Sequence, residues 1–251
     1  MARYFVQLSY DGSDFHGWQI QRNAFTVQAV LNAAFSAYFR EKIETVGAGR
    51  TDTGVHASFF VVHFDCSCDN IDENETLHLY KLNSILPQSI VLKGIKKMHD
   101  SANARFDAIS RTYCYYTHRK KNPFLNAYSV FLVGNIDVEL MNEAASILFN
   151  YTDFTSFSKL HTDTKTNNCN ISEAFWYTCD EQLVFKITAN RFLRNMVRAI
   201  VGTLLDVGRK RITIDYFCKI IEQKDRCCAG KSAAAKGLFL TDIQYPYDIG
   251  M

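Results

Sequence analysis

Strand-patterned and helix-patterned segments alternate along this chain, and the alternation comes round twice, which restricts the fold to an α/β arrangement. Arg3–Tyr10 reads as a strand, and Val27–Phe39 as an amphipathic helix with Thr26 placed to cap it. Glu44–Phe64 holds a strand, a glycine-punctuated loop and a second strand. Leu77–Leu86 has helical spacing, and Ile90–Met98 is strand-like. The second half repeats the rhythm: a strand over Arg111–His118, a helix over Val138–Asn150, and two strands within Ile171–Ala189. Helices over Arg191–Val207 and Ile214–Gln223 and a last strand over Gly237–Tyr245 complete it. The halves meet near residues 99–110, so two lobes around one cleft are expected, residues 1–104 and 105–251. The polar stretches Asp69–Thr76 and Ser158–Asn170 read as loops.

Composition excludes several classes. With 251 residues, 47% hydrophobic and 22% charged, the chain can bury a sizeable core. Lysine and arginine number 28 against 26 acids, a net charge of +2, so affinity for nucleic acid must come from local patches. Such patches are present at Arg111, Arg119, Lys120 and Lys121, and at Arg191, Arg194, Arg198, Arg209, Lys210 and Arg211. As a helix, Arg191–Val207 sets Arg191, Arg194 and Arg198 in one sector with Asn195 and Gly202, opposite Phe192, Met196, Ile200, Leu204 and Val207. Eight cysteines form no C-x-x-C pair, which argues against a zinc site or a disulfide framework. The N-terminus lacks the apolar core of a signal peptide, and no apolar run is long enough to span a membrane. These features predict a reduced, cytoplasmic protein with free thiols, no metal and no membrane partner.

The chemistry concentrates in Val46–Ala57, where Asp52 stands two residues after Arg50 in a loop containing Gly47, Gly49 and Gly54. Glycines let the backbone turn tightly, so the loop is built to present Asp52 rather than bury it. A neighbouring cation lowers an aspartate pKa by roughly 1–3 units, so Arg50 favours an ionised Asp52. A held, ionised carboxylate suits a nucleophile or base.

This run resembles the active-site signature of the tRNA pseudouridine synthases of the TruA type, and the resemblance extends along nearly the whole chain. Its other stations are Tyr10–Gln19 with Thr26-Val27-Gln28, Ala104–Ala108 with Arg111-Thr112-Tyr113, Asp153–Phe157, Phe192–Gly202 and Gly237–Leu240. The resemblance implies the pseudouridine synthase fold, two related α/β (α+β) lobes with mainly antiparallel sheets beside a central RNA-binding cleft. It implies isomerisation of uridine to pseudouridine at positions 38 to 40 in the anticodon stem-loop of tRNA, by a homodimer, without cofactor or metal. By the same resemblance Asp52 is the nucleophile, attacking the ribose C1′ or the base C6 or deprotonating the sugar. Arg198 pairs with it from the second lobe, Arg50 enters the RNA to help turn the nucleotide out, Tyr113 stacks on the flipped uracil, and Leu238 forms an apolar floor beneath the base. Thr53, Ser58-Phe59, Ala234-Ala235 and the loop Lys165–Asn170 depart from the family's commonest pattern; none of them alters Asp52, Tyr113 or Arg198.

Two other classes compete. Asp52-Thr53-Gly54 is also the tripeptide of aspartic proteases, but those need two carboxylates sharing a proton, and the adjacent arginine favours a charged Asp52. A non-catalytic structured-RNA-binding module would account for the basic patches and tyrosines. It would have no use for a lone carboxylate facing polyanionic RNA.

Overall fold

Apolar spacing at Val27, Leu31, Ala34 and Phe35 gives helix α1 (Val27–Phe39) the face it buries, and the Thr26 side chain accepts a hydrogen bond from the Ala29 amide at its start. Both are as the sequence predicts. The computed structural model describes residues 1–159 and 166–250; of the stretch read as a loop over 158–170, residues 160–165 lie outside those described. Two compact units emerge, one formed by Met1–Ile109 with Leu240–Met251, the other by Ser110–Phe239.

In the first unit, strand β1 (Ala2–Tyr10) lies between β3 (His56–Cys66) and β4 (Ile90–Met98), antiparallel to both, and the short β2 (Val46–Gly47) pairs with β3. Tyr4 faces Phe64 and Val6 faces Val62 across β1 and β3, so like-sided apolar residues meet in register. Helix α1 closes over them through Phe35, whose ring meets Phe64 edge-on at 5.0 Å. Helix α2 (Glu75–Ile85) starts two residues before the predicted Leu77. A 3-10 turn over Asp72–Asn74 leads into it from the stretch expected to be loop, and Glu75 is tied down by the Ile95 amide at 2.8 Å.

His63 on β3 is buried, and its Nδ1 accepts the Ala104 amide at 3.1 Å. Burial, assisted by the Arg3 charge, pulls its pKa from 6.5 down to about 4. The native state therefore holds it neutral, while the unfolded chain takes up a proton first as pH falls. Its contribution to stability is intact above pH 6.5 and is lost progressively between 6.5 and about 4, by at most about 3 kcal/mol. Urea midpoints at pH 7 and 4.5 are expected to converge in His63→Gln relative to wild type. An unchanged pH dependence would place the acid sensitivity elsewhere.

The second unit is built on β5 (Ser110–His118), β7 (Ile171–Cys179) and β8 (Gln182–Ala189), with β8 in the middle and antiparallel to both neighbours. Asp180 takes a left-handed φ of 51° at the two-residue turn joining β7 to β8. The short β6 (Val130–Phe131), for which the sequence gives no signal, runs parallel to β5. Helix α3 (Val138–Ile147) packs on β7 and on α4 (Met196–Gly208), followed by α5 (Ile214–Gln223). Strand β9 (Leu238–Gln244) carries the chain from the second unit into the first. There the Tyr245 and Tyr247 hydroxyls bond Ala104 O at 2.7 Å and Asp107 at 2.6 Å.

One helix differs from expectation. Asn195 adopts a left-handed conformation (φ 66°), which a helix cannot propagate through, so α4 begins at Met196 rather than near Arg191. Arg191 and Arg194 precede it, as does Phe192, and the expected three-arginine sector is not formed. Helix α4 is buried on almost every side; only Arg198 and Asp206 along it are partly exposed. The architecture is mixed α/β with mainly antiparallel pairing, as the sequence predicts. Among the described residues, no helix is long and apolar enough to cross a membrane.

Candidate active site

The loop between β2 and β3 owes its shape to the segment Tyr10–Trp18 laid against it. The Trp18 amide donates to Thr51 O at 3.2 Å, the Gly54 amide to Phe15 O at 3.3 Å, and the Tyr10 hydroxyl meets Thr51 Oγ1 at 2.8 Å. The approach is so close that a Cβ at Gly17, where φ is +85°, would collide with the Thr51 carbonyl oxygen. A turn closed by Val55 N donating to Asp52 O at 3.1 Å completes the loop. Thr51 and Val55 are buried, Thr53 is exposed, and Asp52 between them is half-buried. The loop thus presents its carboxylate from a backbone fixed on both sides. His56, at the start of β3, is buried, with Nδ1 3.0 Å from an Asp11 carboxylate oxygen and 3.1 Å from the Gly12 amide that donates to it. Those contacts assign it to bracing the loop.

Arg50 stands exposed beside Asp52 in sequence and forms no ion pair among the described residues. Its Nε donates to Gln19 Oε1 at 3.2 Å. Gln19 Nε2 in turn donates to Gln28 Oε1 at 2.8 Å, which also accepts the Ile20 amide at 3.0 Å, and Gln28 Nε2 donates to Thr45 O at 2.7 Å. This amide relay ties the arginine to the first turn of α1. It borders a small cavity of about 160 Å³ lined by Trp18, Gln19, Gln28, Arg50 and Arg105. Sequence reasoning places Gln28 at a helix start and gives it no role, because its partners are distant in the chain.

In the second unit, Tyr113 sits on β5 opposite Ile187 of β8, 9% exposed, its ring meeting Phe192 edge-on at 5.1 Å. Two residues earlier the Arg111 guanidinium donates to Asn190 O at 2.9 Å. Arg198, in the first turn of α4, donates from Nε to Ala233 O at 2.8 Å, while its own carbonyl accepts the Ala233 amide at 2.8 Å. That double clasp fixes the guanidinium near the buried Tyr115 hydroxyl, which donates to Ala234 O at 3.0 Å. Burial holds the Tyr115 phenol well above its usual range, with the Arg198 charge opposing. Leu238 opens β9 and is 5% exposed, behind a 3-10 turn over Ala235–Gly237.

The structure therefore brings Asp52, Arg50, Gln19 and Gln28 into the first unit, and Tyr113, Arg198 and Leu238 into the second. Among the described residues, no group of three or more histidine, cysteine or acidic side chains is arranged to hold a metal ion.

Comparison with known proteins agrees along the chain. A family model described as tRNA pseudouridine synthase matches residues 144–246. A protein of Bacteroides thetaiotaomicron named tRNA pseudouridine synthase A is 53% identical, over 99% of this chain and 93% of its own length. Its counterpart of the same name in Porphyromonas gingivalis is 51% identical over 99% of both chains. One from the more distant Exiguobacterium sibiricum is 34% identical over 98% of both. The mixed α/β architecture is consistent with that family's fold. With identity of this extent spread over both units, the chain belongs to the tRNA pseudouridine synthase A family.

Proposed function

We propose that this chain isomerises uridine to pseudouridine in tRNA, at positions 38 to 40 of the anticodon stem-loop, as a homodimer and with Asp52 as nucleophile. The observation that carries the reading is identity over the full length to relatives named tRNA pseudouridine synthase A, in a chain whose braced β2–β3 loop presents a single aspartate. The reaction cuts the bond from ribose C1′ to the base nitrogen, turns the uracil, and joins C1′ to C5, whose hydrogen leaves as a proton. It is redox-neutral and needs a carboxylate, not an electron carrier.

The target base must leave its stack before any side chain reaches it. Arg50, held by the Gln19–Gln28 relay, is suited to occupy the space the base vacates. Tyr113 is assigned to the flipped uracil and Leu238 to the surface beneath it. Arg198 is assigned to setting a positive charge against the Asp52 carboxylate once RNA excludes water, because a carboxylate out of water is costly unless a cation accompanies it. Arg198→Leu is expected to lower the single-turnover rate on the order of a hundredfold while changing tRNA affinity less than about threefold. A defect confined to affinity would move Arg198 into the RNA footprint.

The test of the function is release of tritium from tRNA carrying C5-tritiated uridine, since forming the C1′–C5 bond expels that hydrogen. Release with pseudouridine appearing at positions 38 to 40 supports the reading. Tight tRNA binding without release would leave an RNA-binding module instead.

A further inference from the structure

We propose that Asp11 and His56 form one positioning unit for the catalytic loop: the carboxylate orients the imidazole, and the pair holds the turn so that the Asp52 carboxylate meets the reacting carbon. The unit rests on the reading of Asp52 as nucleophile above and deepens it, giving Asp11 a part in the chemistry without contact to substrate.

Asp11 is a fixed acceptor. Its amide donates to Ser89 O at 2.8 Å, and its Oδ1 receives the Ser13 amide at 2.9 Å and the Ser13 hydroxyl at 2.7 Å. The same oxygen lies 3.0 Å from His56 Nδ1, where the imidazole is 1% exposed and the carboxylate 33%. From there the constraint reaches Asp52 by two routes. A Cβ on Gly12 would collide with the Val55 carbonyl oxygen, so Gly12 and Val55 lie backbone against backbone, and the Val55 amide closes the turn on Asp52 O at 3.1 Å. Gly12 O also accepts the Phe15 amide at 3.1 Å, and Phe15 O accepts the Gly54 amide at 3.3 Å.

Holding a buried histidine does not by itself call for a carboxylate. His63, on the same strand, is buried too, and it accepts the Ala104 amide at 3.1 Å without an ion pair among the described residues. Drawing a carboxylate partly out of water is costly, so its place against His56 points to a use. His56 Nδ1 faces two groups, the Gly12 amide at 3.1 Å and the carboxylate, and it can accept from the first or donate to the second. An ionised acceptor makes the stronger bond, so Asp11 decides which grip the ring takes and fixes its tautomer. A displacement of about 1 Å at a reacting group can cost about a hundredfold in rate, so the effect of the pair belongs to the chemical step rather than to tRNA affinity.

The experiment measures single-turnover tritium release at saturating enzyme, tRNA affinity and urea unfolding for Asp11→Ala, Asp11→Asn, His56→Ala and the Asp11→Ala/His56→Ala double variant. Saturating enzyme makes the rate constant independent of the fraction folded, so lost stability cannot imitate a lost position. Asp11→Ala is expected to slow release at least about tenfold, with Kd within about threefold of wild type. Asp11→Asn, whose Oδ1 can still accept from His56 Nδ1, is expected to return the rate to within about threefold of wild type. The double variant is expected to be no slower than the slower single variant, because one unit can be lost only once. A wild-type rate for Asp11→Ala would overturn the proposal, as would a loss confined to Kd, which places Asp11 in the RNA footprint. So would effects that multiply in the double variant, or an Asp11→Asn as slow as Asp11→Ala. Where His56→Ala fails to fold, the two Asp11 variants decide. Release by Asp52→Asn within about tenfold of wild type would overturn the nucleophile reading instead, so the two failures appear in different variants.

Discussion

Asp52→Asn is expected to lower tritium release by at least about a thousandfold while tRNA binding stays within a few-fold of wild type. The substitution keeps the shape of the side chain and removes its charge, so the amide can neither attack carbon nor take a proton. The loop should survive it, because its backbone is held by the Trp18, Gly54 and Val55 amides and the Thr51 side chain by the Tyr10 hydroxyl. Binding should be unchanged or slightly tighter, since a negative charge facing polyanionic RNA is removed. Single-turnover assays with enzyme in excess over labelled tRNA separate the two quantities. Residual turnover within tenfold of wild type would remove Asp52 as nucleophile, and collapsed binding would make it part of the RNA footprint.

What the sequence discloses about this molecule follows what is local. Helix α1 could be read to the residue because Thr26 caps it and its apolar spacing stops where it stops. The edges of α5, capped by Thr213, are legible in the same way, and those of β4 from its strand-like pattern. Helix α4 was not, and the cause is instructive. Apolar residues recur every fourth position through Phe192, Met196, Ile200 and Leu204, so the helical period runs unbroken across a backbone that turns left-handed at Asn195. Periodicity reports which side chains are apolar; it does not report the φ of an asparagine, a residue that tolerates the left-handed region unusually well. Arg191 and Arg194 therefore fall outside the helix.

The same distinction divides the candidate site. That Asp52 sits on a presented loop could be inferred from its glycines, but not that the loop is braced by Tyr10, Phe15 and Trp18, whose contacts depend on how β1 and β3 pair. The Gln28 relay is invisible in sequence because a glutamine's value lies in three partners, at Gln19, Ile20 and Thr45, that only the tertiary fold assembles. A half-buried glutamine with satisfied partners looks in sequence like any exposed amide.

Gly202 in α4 gives the sharpest test of packing against propensity. In an ordinary helix interior, replacing glycine by alanine stabilises by roughly 0.5–1 kcal/mol. Here a new Cβ would collide with the Lys231 carbonyl oxygen and lie 3.0 Å from its carbon and 3.4 Å from the Ala233 amide nitrogen. The obstacle is backbone, so no side-chain rotation relieves it. Nor can the 231–233 segment easily retreat. Ala233 is clasped by Arg198 through two 2.8 Å bonds, and Ser232 Oγ receives Asn195 at 2.7 Å and Arg226 at 2.8 Å. Overpacking costs about 1–3 kcal/mol, and each strained hydrogen bond adds about 1, so Gly202→Ala is expected to lose about 2–4 kcal/mol despite the gain in helix propensity. Urea unfolding reads the loss directly. Since the displaced segment is the one that clasps Arg198, the fraction that remains folded should also turn over more slowly than wild type. A variant as stable as wild type would mean that the segment yields without cost, and the clasp on Arg198 could then not be what fixes its guanidinium.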